Sequence, residues 1–561
     1  MTTRKAYFVG SGVGSMTAAF FLMRDAGFKG EDIKMLETLK IGGGSCDGTG
    51  SVENGFITRG GRMFNFPTFE CTWEVLKEIP SNTEGKSVYQ ETVDFNRDNC
   101  KNSKSRVVDK NGCRLDVQDM GFTMSDRMQL LKLVETPEEK MGNSIITDWF
   151  SPRFFETNFW IMWATTFAFQ PWHSAIELKR YMERFMHEFV RIETLEGIKS
   201  TVLNQYDSMI VPLQKYLMDK GVSVNFGCTV EDVDMEEANG KYTAKVIHYR
   251  KNDKMEKIEL AKGDLLFIQN GCMTDASTLG SWTKPAELKG LKDSTSFKLW
   301  DTLAQKCKGL GNAKPFMSNT TESIWQSFTV TMKNPALFKA FTDFYMQRPG
   351  IGGIMTFKDS NWFMGLVIAE QPHFAGQPKD VNTMWGYGLF PNKIGNYVNK
   401  SMLECTGEEI FYEYCQHCRI PPELVHDVTC IPCIMPFITA QFMPRQISDR
   451  PKPVPDTAVN FGFISQFVEI PYDTVFTVEY STRAAQTAVY GLCGIKKKIP
   501  KVHRYHKQPK YMIKAVKKAF MGGAGTLRQR ESGNSPMSTF KKVGLAAVIG
   551  FVAFAVKKGM E

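Results

Sequence analysis

Three loops carry residues whose types and spacing could do chemistry. In the first, Gly10, Gly12 and Gly14 separate an apolar run, AYFV, from an apolar stretch of helical pattern. Gly10 permits a tight turn, and Gly12 lets a pyrophosphate approach the free N–H groups of a helix N-terminus. Ser15 takes the place of the usual third glycine and is still small enough for close helix–strand packing. Glu37 lies 22 residues beyond Ser15, where a carboxylate can accept hydrogen bonds from ribose hydroxyls. The second loop, GGGSCDG at 42–48, follows that acid and centres on Gly43 and Gly44. The third, RGGRMFNFP at 59–67, brackets Gly60 and Gly61 with Arg59 and Arg62 and then turns apolar at Met63. The first two loops and the acid between them predict a dinucleotide site.

The elements that must hold these loops follow from periodicity. KAYFVGSGVGSMTAAFFLMRDAG reads as strand, glycine turn and helix, and DIKMLE as the next strand, which is the opening βαβ unit of a doubly wound sheet. SAIELKRYMERFMHEFVRI has the spacing of an amphipathic helix, and YTAKVIHYR, KIEL and DLLFIQNGC read as strands that rejoin the sheet. The expected architecture is α/β, a Rossmann-like FAD-binding doubly wound sheet with an inserted mixed α+β substrate domain, helical segments and a C-terminal apolar helix. Residues 1–119, 196–273 and 442–495 are assigned to the dinucleotide domain and 274–441 to the substrate domain. A helical channel segment covers 120–195, a basic linker 496–540 and the apolar helix 541–561.

At 561 residues, 42% hydrophobic and 23% charged, the chain can bury a large core, which excludes wholesale disorder. The N-terminus runs almost at once into a strand, and thirteen cysteines accompany no secretion signal, so a cytoplasmic, reducing location is expected. Charge is uneven: Ile495 to Glu561 carries 16 Lys/Arg against two acids, leaving the first 494 residues at −5 of the chain's +9. Lys496 to Lys518 holds ten basic residues and no acid, a composition suited to anionic lipid headgroups. Val543 to Val556 is fourteen uncharged residues between lysine pairs, about 21 Å as a helix against roughly 30 Å of hydrocarbon, so a short membrane anchor is expected rather than a span. The alternative is a helix docked on the body or on a second subunit of a homodimer. No recognition module accompanies the basic tail, so nucleic acid is not an expected partner. CQHC (415–418) and CIPC (430–433) have zinc-like spacing, but the first pair reads as helix rather than knuckle, so no metal is expected.

The second glycine loop resembles that of flavoproteins, in which it passes close to the cofactor, so FAD is expected rather than NAD. With RGGR beyond it, the chain resembles the oleate hydratases, the FAD-dependent fatty acid hydratases also called myosin-cross-reactive antigens. The matching stretches include FFETNFWIMWATTFAFQPWHSAIELKRYMERFMHE, LNQYDSM, NGCMTD, QPHF, GNYVNKSMLECTGEEI, MPFITAQFMPR and DTVFTVEYSTRAAQTAVY. The resemblance implies addition of water to a cis double bond of a free unsaturated fatty acid, with FAD bound and no net redox change. It implies that Tyr181 delivers the proton, that Gln205 and His373 hold the head group, and that the RGGR glycines lie against the flavin while the following phenylalanines wall an alkyl channel. In the family a glutamate follows RGGR and activates water; this chain has Met63 there, and Glu70 farther along the loop is the substitute candidate. Family Thr and Asn positions at the head group are Val367 and Ala369. Those departures keep two alternatives open, a flavin-dependent lipid oxidoreductase or isomerase and a non-catalytic flavin- or lipid-binding protein at a membrane.

Overall fold

The computed structural model describes residues 4–61 and 63–521; Arg62 and the expected C-terminal apolar helix lie outside the described residues. Five strands, β1 (Ala6–Val9), β2 (Ile33–Glu37), β3 (Ser223–Phe226), β4 (Leu265–Ile268) and β5 (Phe461–Phe463), form a parallel sheet in the order β5-β4-β1-β2-β3. The near-continuous burial of β1, β2, β4 and β5 is what a parallel sheet covered on both faces requires, while the edge strand β3 is partly exposed. Six helices bear on the site: α1 (Val13–Ala26), α2 (Glu70–Leu76), α3 (Ala175–Arg184), α4 (Gly407–His417), α5 (Val478–Cys493) and α6 (Pro509–Met521). Between β1 and β2, α1 makes the crossover and packs on α5, where Phe21 meets Tyr490 edge-on at 6.1 Å. Gly14 is fixed by this packing: a Cβ there would stand 2.2 Å from the Ile464 carbonyl oxygen.

The expected return of three strands to this sheet is corrected. Only Leu265–Ile268 rejoins it; Cys228–Ala238, Lys241–Lys251 and Lys254–Glu259 form a separate antiparallel sheet. Their solvent-facing side is polar, a pattern that one-sided antiparallel sheets allow and a doubly covered parallel sheet does not.

A second large sheet of seven strands, mostly antiparallel, is built on Trp325–Met332, flanked by Asn382–Gly388 and Val428–Met435. Alternate residues of Trp325–Met332 face the strand Gly55–Thr58 and the first residue of the RGGR loop. Thr331 Oγ1 accepts from Phe56 N at 2.9 Å, Thr329 Oγ1 from Thr58 N at 3.1 Å, and Ser327 Oγ donates to the Arg59 carbonyl at 3.0 Å. The period-2 hydroxyl row thus acts as a rail that seats the loop between the two sheets.

The amphipathic segment SAIELKRYMERF is buried on all sides as α3, polar face included. Ion pairs neutralise that face: Glu177 with Arg445 at 2.9 Å and Arg450 at 3.0 Å, Arg180 with Glu138 at 2.7 Å and Glu469 at 2.6 Å, and Arg184 with Asp473 at 2.9 Å. The basic linker supplies part of the cover. Arg504 pairs with Glu183 at 3.0 Å, Lys497 with Asp25 at 3.3 Å and Lys518 with Glu193 at 2.6 Å, and Tyr505 stacks on His187 at 3.9 Å. Residues expected as a free lipid-binding stretch are therefore partly spent on the body. Among the described residues no helix is long and apolar enough to cross a membrane.

Candidate functional site

Two cavities meet at Phe476, which lines both. The first, about 530 Å³ of empty space, is walled by Gly12, Gly14, Gly43, Gly44, Gln269 and Thr477 among others. The N-termini of α1 and α5 converge on it, and the Gly12 N-cap gives α1 no side-chain hydrogen bond, so the first-turn N–H groups stay open to a ligand. Gly43, with φ of 103°, brings the second glycine loop against the first, its N–H donating to the Ser11 carbonyl at 3.0 Å. A cradle of bare backbone between two helix N-termini fits a dinucleotide pyrophosphate.

The other expected cofactor residues divide. Gly10, with φ of 88°, makes the turn, and Ser15 Oγ accepts from Gln269 at 3.0 Å. Glu37 is buried and accepts from the Ser11 N–H and hydroxyl, both at 2.8 Å, and from Leu39 N at 2.9 Å. Burial pushes its carboxyl up, with those hydrogen bonds opposing. The carboxylate thus holds the glycine loop itself and does not line the cavity. Arg59 is paired with Asp47 at 2.7 Å and donates to Ser277, anchoring the RGGR loop from beneath.

The second cavity holds about 1190 Å³ of empty space, its open mouth included. Met63, Gln205, His373, Val367 and Ala369 line it, so the structure brings these expected substrate and head-group positions together; Gly60 and Gly61, expected at the cofactor, line this cavity and not the first. The Gln205 amide donates to the Gly60 carbonyl at 2.9 Å, and Asn204 N to the His373 carbonyl at 2.8 Å, tying both to one wall. His373 lines the cavity, half-buried, and desolvation, with Lys101 nearby, lowers its imidazole to about 4. It is neutral at pH 7.

Two expectations are corrected, and Tyr181 is placed outside the cavity lining. Glu70 does not reach the cavity; it opens α2 and is held by Arg483 at 3.0 Å, Arg184 at 3.5 Å and His503 at 3.5 Å. Phe64 and Phe66 wall no channel, since they pack on Trp73 at 5.5 and 5.3 Å. Tyr181 stands one layer behind the cavity, its ring among Phe167, Phe169, Phe185 and Phe442 and its hydroxyl donating to the Val475 carbonyl at 2.6 Å. Burial, with Glu177 and Asp473 adding, pushes that phenol well above its ordinary value.

The four cysteines of CQHC and CIPC do not converge. Residues 430 and 433 lie an odd number of positions apart on one strand and point to opposite faces: Cys430 feels Cys415, while Cys433 faces Arg59. No cluster able to hold a metal occurs among the described residues. Residues that sequence reasoning missed are Trp325, Trp385, Tyr387 and Lys101, all in the second cavity. The aromatic signal lay in MWGYGLF, whose alternation puts Trp385 and Tyr387 on one face of a strand, rings 5.0 Å apart.

Known proteins resemble this chain in sequence and in fold. A sequence profile described as MCRA family matches residues 3–490. The chain belongs to the MCRA family. The oleate hydratase of Streptococcus pyogenes serotype M49 (strain NZ131) is 40% identical over 516 residues, covering 89% of this chain and 86% of its own. The linoleate hydratase of Lactiplantibacillus plantarum is 32% identical over 567 residues, covering 93% and 99%. Among solved structures, cyclohexylamine oxidase from Brevibacterium oxydans IH-35A is similar in fold alone, with a TM-score of 0.52 at 11% identity over 88% of this chain and 99% of that one.

Proposed function

We propose that this MCRA-family protein adds water to a cis double bond of a free unsaturated fatty acid, with FAD held in the Gly12–Gly44 cradle. The observation that carries the reading is the shared wall at Phe476: a largely apolar cleft lies against the glycine cradle, with that ring lining both. The names of the two hydratase relatives support it.

Hydration delivers a proton to one alkene carbon and water to the other, then returns a proton to solvent, so electrons balance without an oxidant. Bound in the cradle, the flavin would supply a flat polarisable wall beside the alkene. This chain's residues supply the rest. Trp325, Trp385 and Phe476 offer π-faces to a developing cation and exclude water around it. Tyr181 is our candidate for the acid, reached when the Val475 segment behind Phe476 shifts and frees its hydroxyl. Among the described lining residues Glu370 is the one carboxylate, and it is paired with Arg348 at 2.7 Å. Water is instead oriented by neutral groups, the Gln205 amide and the buried, unpaired indole N–H groups of Trp325 and Trp385. A strongly electrophilic carbon needs orientation from them more than base strength.

We further place the chain at an anionic membrane surface. Lys498, Lys501, Lys507, Lys510, Lys514 and Lys517 are exposed and have no ion-pair partner among the described residues, so the described part of the basic linker, residues 496–521, is a strap with a basic outer face and an inner face docked on the body. Incubation of the purified, FAD-loaded chain with oleate tests the activity. A product heavier by one water, formed without oxygen uptake or consumption of an electron acceptor, is expected; a desaturated or isomerised product refutes hydration.

A further inference from the structure

The second cavity contains a cation with no ion-pair partner among the described residues. Lys101 lies in the loop ahead of the Val107–Val108 strand, is 7% exposed, and lines the cavity. Its ammonium has three donors but one protein acceptor, the Gly350 carbonyl, and it makes no ion pair with any described residue. A buried ammonium in this condition is costly unless something else completes its shell.

The charged groups around it do not do so. Glu370 is near enough to be felt, but its carboxylate is taken by Arg348, which also donates to Asn99 at 2.7 Å. Lys199 and Arg348 repel it, the Cys100 thiol is a minor attraction, and His373 is neutral. Val367 and Ala369, on the adjoining wall, have no polar side-chain atom to offer. Burial accordingly lowers the ammonium to about 8. A lone cation at the wall of an apolar cleft is complementary to a single negative charge on an apolar chain.

We propose that Lys101 is the counter-ion for the fatty-acid carboxylate, with the neutral His373 imidazole as its hydrogen-bonding companion. This rests on the cleft being the fatty-acid site. Pairing there would compensate for the apolar Val367 and Ala369, anchoring the head group by charge. It also explains selection: a methyl ester or an alcohol of the same chain would leave the ammonium uncompensated and gain nothing from it.

The test uses the full FAD-loaded chain and stearate, which has no double bond to hydrate, with binding measured by displacement of a fluorescent fatty acid. Lys101→Met should weaken stearate about 10- to 100-fold, the range for a lost charged hydrogen bond, while methyl stearate binds both proteins alike. Lys101→Arg, which keeps the charge, should stay within a few-fold of the natural protein. The natural protein should also lose stearate affinity as pH rises above about 8, where the free lysine deprotonates, and Lys101→Met should show no such limb. Equal stearate binding in Lys101→Met, or parallel loss of the ester, overturns the assignment. Failure of the natural protein to bind stearate at all refutes the fatty-acid reading of the cleft, and the assignment with it.

Discussion

Replacing Tyr181 by Phe separates a catalytic role from a structural one. The substitution deletes one oxygen, whose hydrogen bond to the Val475 carbonyl spans 2.6 Å in a fully buried setting. Leaving that carbonyl unpaired costs about 1–3 kcal/mol. The ring contacts with Phe167 and Phe169 at 5.1 Å survive, as do the ion pairs of α3, so the loss stays within a typical margin of about 5–15 kcal/mol and the protein remains folded. General-acid catalysis is worth about 10²- to 10⁴-fold. A drop of that size in oleate hydration, with yellow colour and flavin stoichiometry intact and a melting point lowered by only a few degrees, is the expected result. The phenol of the natural protein is pushed well above its ordinary value, so it stays protonated and should produce no alkaline limb in the rate below pH 10. Hydration by Tyr181→Phe within about threefold of the natural rate removes the residue from the mechanism, however much the melting point falls.

Other outcomes follow from single contacts. Gly14→Ala places a Cβ 2.2 Å from the Ile464 carbonyl oxygen, so it should displace α1 from β5 and yield colourless protein; full flavin content after purification would refute the cradle. Met63→Glu puts a carboxylate into a cavity wall that lacks a free one, and hydration should speed up by about tenfold or more, at the low end of what a positioned base contributes; an unchanged rate would mean that the neutral groups already suffice. A chain ending at Met521 retains the strap with its Arg504–Glu183 and Tyr505–His187 contacts and its exposed lysines, and should stay folded and still sediment with anionic vesicles; lost sedimentation would refute the strap as the membrane contact and assign it to the residues beyond 521.

What was legible in the sequence was whatever a local pattern could encode. The glycine turn and its flanking apolar runs sufficed for β1, α1 and β2, because a βαβ unit is assembled from neighbours in the chain. Gln205 and His373 were found through a family resemblance, and the cavity does collect them. Glu70 shows the limit. As an acid in a glycine-rich loop it has the right type and position, but its fate is set by Arg184 and Arg483, which are 114 and 413 residues away in the chain. Lys101 fails in the opposite sense: KNSKSR reads as a solvated basic loop, and only contact with the Gly350 turn, 249 residues on, buries one of its two lysines while Lys104 stays exposed.

The basic strap carries the same lesson into function. Ten positive charges without an acid could only be read as a surface for something negative, and part of that something is the protein's own α3. Glu183 is buried with Lys179 at 2.7 Å and Arg504 at 3.0 Å, an arrangement that neither segment could sustain alone in a low-dielectric interior. Because α3 also carries Tyr181, the strap sits across the helix that presents the proposed acid. Any event that pulls the strap toward a membrane therefore acts on the same helix that the chemistry uses.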